Sequence, residues 1–285
     1  MNDPKQVPDS EKTECENIHS LNERRNQDDD SLLPVDEHVE EVSENGEKVR
    51  RRGIYLLPNL FTTGALFSGF YAVIAGMHGD FENAAIAIFV AMILDGLDGR
   101  VARLTNTTSA FGVQYDSLSD MVSFGLAPGL VVFSWALAPL GKLGWAAAFA
   151  YAACAALRLA RFNTQVDVVD KRYFIGLSSP AAAAIVAGIV WVGHDLQIAR
   201  ELAVVVAVVT ILAGALMVSN IRYNSFKGID FKGRVPFVAM LAVILVFVVV
   251  TINPPKVLLV LFSLYGLSGP AMWVFRRLKL WRKKN

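Results

Sequence analysis

The sequence predicts an all-α integral membrane protein with about eight transmembrane helices. Three observations carry this reading. Continuous apolar runs of near-spanning length alternate with short polar breaks, basic residues gather in every second break, and 54% of the 285 side chains are hydrophobic against 19% charged. A soluble domain of ordinary composition does not fit that balance. Nor does a membrane β-barrel, whose strands alternate apolar and polar residues where these runs are apolar throughout.

The chain opens on a stretch of another kind. Positions 1 to 47 hold 15 of the 26 acidic residues, with many Asn and Ser and few large apolar side chains, so the net charge of +1 averages two unlike parts. Such a composition buries too little apolar surface to offset the entropy of ordering, and residues 1–50 are expected to form a disordered cytoplasmic tail. The first apolar run begins near Leu56, too far along for an ordinary cleaved signal peptide, so the membrane segments are expected to remain in the mature protein. Cys15 and Cys154 have no partner at metal-ligand or disulfide-framework spacing.

The runs cover about 56–77, 83–105, 114–140, 143–160, 178–193, 202–220, 235–252 and 255–275. A hydrocarbon layer of ~30 Å needs about 20 helical residues, and each run meets or approaches that length. Twenty Lys and Arg lie before the first run or after the second, fourth, sixth and eighth, against only Lys142, Arg200 and Lys256 in the other breaks. Cytoplasmic loops carry the basic excess, so both termini are expected in the cytoplasm. His78 and His194 fall in opposite-side breaks and read as solvated loop residues.

Outside the tail, most acidic residues fall in the breaks. Four do not: Asp95 and Asp98 in the second run, and Asp116 and Asp120 in the third, all toward the cytoplasmic side. A carboxylate at the centre of a membrane helix costs ~2.5–3.5 kcal/mol, so four together call for a cationic partner. Spacings of three and four residues put each pair on one helix face, and the short turn between the runs brings the faces together. Converging carboxylates without histidine or thiolate are hard oxygen ligands for magnesium, manganese or calcium. Two divalent ions would neutralise them and form the clamp used in displacement at phosphorus. Gly96, Gly99 and Gly112 either admit a phosphate or nucleotide close to backbone or permit close helix packing. Arg103 either faces a phosphate or snorkels to the interface.

The order Asp95, Asp98, Gly99, Ala102, Arg103, Gly112, Asp116 and Asp120 matches every fixed position of D-x2-D-G-x2-A-R-x8-G-x3-D-x3-D. By this signature the chain resembles the CDP-alcohol phosphotransferases over its first six runs, roughly Leu57 to Asn220. The stretches LPNLFTTGALFSGFYAV, DSLSDMVSFGLAPG, ALRLARFN and YFIGLSSPAAAA are similar to those of the bacterial-type branch that uses CDP-diacylglycerol and L-serine. The resemblance implies a catalytic six-helix membrane core at 51–221, followed by two additional helices and a basic C-terminus at 222–285. It implies two ions, Mg2+ or Mn2+, held by Asp95, Asp98, Asp116 and Asp120, with Asp120 also the candidate general base. It further implies a cytoplasmic active site, a bacterial inner membrane and a homodimer, with no nucleic-acid partner.

For the donor lipid, Gly99, Ala102, Arg103 and Gly112 are the expected contacts. The carboxylate of serine needs a cationic donor, and Arg158 and Arg161 lie three residues apart beside Asn163, with Ser123, Ser178 and Ser179 as further candidates. The expected reaction is direct in-line transfer of the phosphatidyl group to the serine hydroxyl. The same chemistry with glycerol 3-phosphate or inositol phosphate as acceptor is the close rival. A cation transporter is the distant one, and it would place acids near mid-membrane with a second, repeated broken helix.

Overall fold

Each apolar run becomes a helix in the computed structural model, which describes residues 39–44, 47–52, 56–105, 110–165, 173–224 and 237–284. Helix α1 (Leu56–Met77) turns at Gly79, whose φ of 80° is open to glycine, into α2 (Phe81–Leu104). Asp80 caps α2 by accepting from the Asn83 amide at 3.3 Å and from its side chain at 2.8 Å. The third run is one interrupted rod. It consists of α3 (Ala110–Asp120), a π-helical segment (Met121–Leu126), α4 (Ala127–Val132), a second π segment (Phe133–Leu137) and a 3-10 turn (Ala138–Leu140).

Pro128 and Pro139 explain the widened turns. Proline has no N–H for the carbonyl four residues back, which frees the carbonyls of Phe124 and Trp135. The Phe124 carbonyl is met from outside the rod, by the buried Tyr151 hydroxyl at 3.0 Å. Tyr151 belongs to α5 (Lys142–Gln165), entered through Gly141 at a φ of 58°. There follow α6 (Ser179–Gly193), α7 (Arg200–Val218), α8 (Phe237–Ile252) and α9 (Pro254–Lys284). Ser178 caps α6 and Pro180 occupies its first turn.

Small side chains let these helices approach closely. Ala84, Ala85 and Ala91 of α2 and Ala181 to Ala184 of α6 are buried at the centre, and α9 packs along α6. Many large apolar side chains, among them Phe67, Phe149 and Val205, point outward, as a lipid-facing surface requires. The protein is therefore an all-α integral membrane protein. Among the described residues, five helical stretches are long and apolar enough to cross a bilayer: Pro58–Met77, Phe111–Leu140, Lys142–Thr164, Arg200–Val218 and Pro254–Phe275. Of the others, α2 carries the charges of the site, α6 has 15 residues and α8 has 16.

Within the stretch expected to be disordered, β1 (Val39–Glu44) and β2 (Glu47–Arg52) pair antiparallel, with Glu40 across from Arg51 and Glu41 across from Arg50 in the register. The expectation for residues 1–38 lies outside the described residues, as do Lys171, Arg172, Lys227, Lys232 and Arg234 of the basic breaks. His194 is not merely solvated, because its Nε2 lies 3.6 Å from Glu82 and 3.2 Å from Asp195 while Nδ1 contacts the Trp191 carbonyl at 2.8 Å. A second antiparallel strand pair, β3 (Tyr173–Ile175) with β4 (Arg222–Asn224), ties the start of α6 to the end of α7.

A candidate metal and phosphate site

Helices α2 and α3 bring the four aspartates together. Asp95, Asp98 and Asp116 each offer a carboxylate oxygen within 4.8 Å of the others, an arrangement that can hold a metal ion. Asp120, one turn beyond Asp116, adjoins Asp95. Each like-charged pair at that spacing repels by about 3 kcal/mol at an effective dielectric of ~20. Nearby cationic charge comes from Arg158 of α5, which is within electrostatic reach of Asp95 and Asp120. One guanidinium does not balance four carboxylates.

The donor set fits hard divalent cations. All four acids supply oxygen, and Asp116 Oδ1 is buried without a hydrogen-bond partner, which is costly for a carboxylate unless a cation meets it. Asp98, 6% exposed, is oriented from α1, where the Thr62 hydroxyl donates to its Oδ2 at 2.8 Å. The Ser119 hydroxyl donates to the Thr62 carbonyl at 3.1 Å, so α1 also fixes the helix that carries Asp116 and Asp120. Thr62 and Ser119 escape sequence reasoning because a single hydroxyl in an apolar run reads as neutral. Their signal is the polar interruption in LPNLFTTG and DSLSD, opposite one another across the α1–α3 contact.

The glycines beside the acids differ in surroundings. A Cβ on Gly96 would meet nothing within 4 Å, and one on Gly99 would meet only the Arg103 guanidinium at 4.0 Å. Backbone is thus open to a large ligand on this side of α2. Arg103 folds back along its own helix, Nε donating to the Gly99 carbonyl at 2.7 Å. Ala102 and Gly112 are half-buried, the latter in the first turn of α3.

The expected serine-binding residues separate into groups. Arg158 Nη1 donates to Ser179 Oγ, and this pair lies on the Asp95–Asp120 side of the cluster. Arg161 turns instead to α7, with Nη2 donating to Asn220 Oδ1 at 2.8 Å and Nη1 to the Val218 carbonyl at 3.4 Å. Asn163 Nδ2 donates to Ser117 Oγ at 3.1 Å. Ser178 accepts from the Ala181 amide as a helix cap. Ser123 is fully buried, donating to the Ala65 carbonyl at 3.0 Å where Gly69 lets α1 approach; a Cβ at Gly69 would stand 2.7 Å from the Ser123 Cα.

Comparison with known proteins agrees with this geometry. The profile of the CDP-alcohol phosphatidyltransferase family matches residues 55–218. A Helicobacter pylori (strain J99) protein named CDP-diacylglycerol–serine O-phosphatidyltransferase is 39% identical over 235 residues, 81% of this chain and 97% of its own. Proteins of the same name from Methanocaldococcus jannaschii and Bacillus subtilis are 34% and 31% identical, over 69% and 60% of this chain and 87% and 91% of theirs. The matched segment spans α1 to α7 and includes all four aspartates: the chain belongs to the CDP-alcohol phosphatidyltransferase family.

Proposed function

We propose that this protein transfers the phosphatidyl group of CDP-diacylglycerol to the hydroxyl of L-serine, yielding phosphatidylserine and CMP. The observation that carries the reading is the convergence of four aspartates from α2 and α3 on one side of Arg158, in a chain similar along most of its length to proteins named for that reaction. Asp95, Asp98, Asp116 and Asp120 would hold two Mg2+ or Mn2+ ions. Such ions supply positive charge to the phosphates and to departing CMP.

The chain's own residues do the rest. The open backbone at Gly96 and Gly99 admits the cytidine diphosphate, with Arg103, Ala102 and Gly112 bordering it, while the acyl chains stay in lipid. Arg158 and Ser179 receive the carboxylate of serine, a pairing for which a planar guanidinium is suited. Asp120 takes the proton of the serine hydroxyl as that oxygen attacks the lipid-bearing phosphorus; a free alcohol is far too weak an acid to lose it unaided. One direct displacement inverts the configuration at phosphorus, and net retention would reject the scheme.

The deciding assay incubates the purified protein and CDP-diacylglycerol, with magnesium or manganese, with serine, glycerol 3-phosphate or inositol phosphate in separate reactions. CMP release and phosphatidylserine with serine alone are expected; a product with another acceptor changes the substrate, and none with any removes the reaction. The remaining parts of the reading are a homodimer in a bacterial inner membrane, with the termini and site cytoplasmic, a six-helix catalytic core at 51–221 and two added helices at 222–285. The segregation of basic residues supports the orientation, and labelling of a cysteine placed at Lys142 from the outer side alone tests it.

A further inference from the structure

Hydroxyls stand at alternate positions along the last turns of α3, on Tyr115, Ser117 and Ser119, and each meets a neighbouring helix. Two of them meet α1: the Tyr115 hydroxyl lies 2.9 Å from Thr63 Oγ1, and the Ser119 hydroxyl donates to the Thr62 carbonyl at 3.1 Å. The remaining one meets α5. Asn163 Nδ2 donates to Ser117 Oγ at 3.1 Å, with Asn163 Oδ1 3.4 Å from the same oxygen. The Ser117 hydroxyl gives its own proton to the Val113 carbonyl at 3.0 Å, which leaves its lone pairs for the amide.

Each residue of an α-helix advances the azimuth by about 100°, which places Ser119, Asp116, Asp120 and Ser117 in that order around α3, at about −60°, 0°, 40° and 100° from Asp116. The two serines therefore flank the acidic stripe, one on each edge. Tyr115, at about −100°, lies on the Ser119 edge, so both contacts to α1 hold the same side of the helix. Asp116 approaches Asp95 and Asp98 within 4.8 Å, and the repulsion between these like charges drives α3 to roll away from α2. Bonds along one edge act as a hinge and leave that roll open. A bond from α5 to the opposite edge closes it. Asn163, half-buried near the C-terminal end of α5, makes that bond with a neutral amide, which brings no charge to compete with a cation at the acids.

We infer that Asn163 is a positioning residue for the metal site: through Ser117 it locks the rotation of α3, so that Asp116 and Asp120 stay aimed at α2 before any ion arrives. This rests on the reading of the four aspartates as ligands of divalent ions. It also takes Asn163 out of the serine pocket expected for it and gives it to the acids.

The test measures Mn2+ binding directly, by electron paramagnetic resonance of free Mn2+, with the full chain in phosphatidylcholine nanodiscs and no substrate present. Asn163→Ala and Ser117→Ala are each expected to raise the Kd for Mn2+ about tenfold, the low end of what losing an outer support costs a metal site. The double variant should fall within about twofold of either single one, because both changes remove the same bond. With Mn2+ saturating, the KM for serine in Asn163→Ala should stay within about twofold of the wild-type value, as a group that does not touch serine requires. An unchanged Mn2+ Kd in Asn163→Ala overturns the inference, even if the melting temperature falls, for the bond would then serve the fold alone. Full multiplication of the two single effects, or a serine KM that rises at saturating Mn2+, overturns it as well. Each of those results leaves the four aspartates as ligands, whereas wild-type protein that binds no Mn2+, or that binds it equally well after Asp116→Asn, removes the metal reading and the inference with it.

Discussion

At the scale of single residues, the site divides into groups that meet ligand and groups that aim them. Asp120 belongs to the first. Asp120→Asn preserves shape but removes both a charge and a proton acceptor, so turnover should fall about a thousandfold, roughly 4 kcal/mol of barrier, with the melting temperature unchanged or raised. Thr62 belongs to the second. Thr62→Val keeps the volume and deletes the hydrogen bond to Asp98, and the Mg2+ concentration for half-maximal activity should rise about tenfold, as read from a metal titration at saturating substrates. The acids were legible in the sequence because a carboxylate within an apolar run is expensive and therefore informative. Thr62 and Ser119 were not, since hydroxyls are tolerated in membrane helices and signal nothing until their neighbours are known. The separation of Arg158 from Arg161 was equally hidden: a spacing of three residues puts both on one face but does not say that the second would turn to Asn220.

Among the elements, the helices follow the apolar runs to within a few residues, since length and hydropathy alone suffice for them. The two π segments in the third run depend instead on the prolines at 128 and 139 and on what meets the freed carbonyls. Tyr151→Phe tests that dependence. Loss of its hydroxyl leaves the buried Phe124 carbonyl without that donor, a deficit of about 1–3 kcal/mol, visible as a lower melting temperature in detergent.

Across the whole molecule, the bundle gathers its intramembrane acids on the α2–α3 face beside the open glycine backbone of α2, so activity should depend on divalent metal throughout. Treatment with a chelator is expected to abolish CMP release, and added Mg2+ or Mn2+ to restore it; persistence of full activity in excess chelator would contradict the use made of the four aspartates. The widened turn directly after Asp120 has a further consequence for how such chains can vary. A π turn holds one residue more than an α turn, so losing a single amino acid between Met121 and Leu126 is taken up by tightening the turn, and Asp116 and Asp120 keep their azimuth toward α2. The same loss within the regular turns of α3, between Asp116 and Asp120, shifts one acid against the other by about 100° and would silence the enzyme while leaving composition and hydropathy almost untouched.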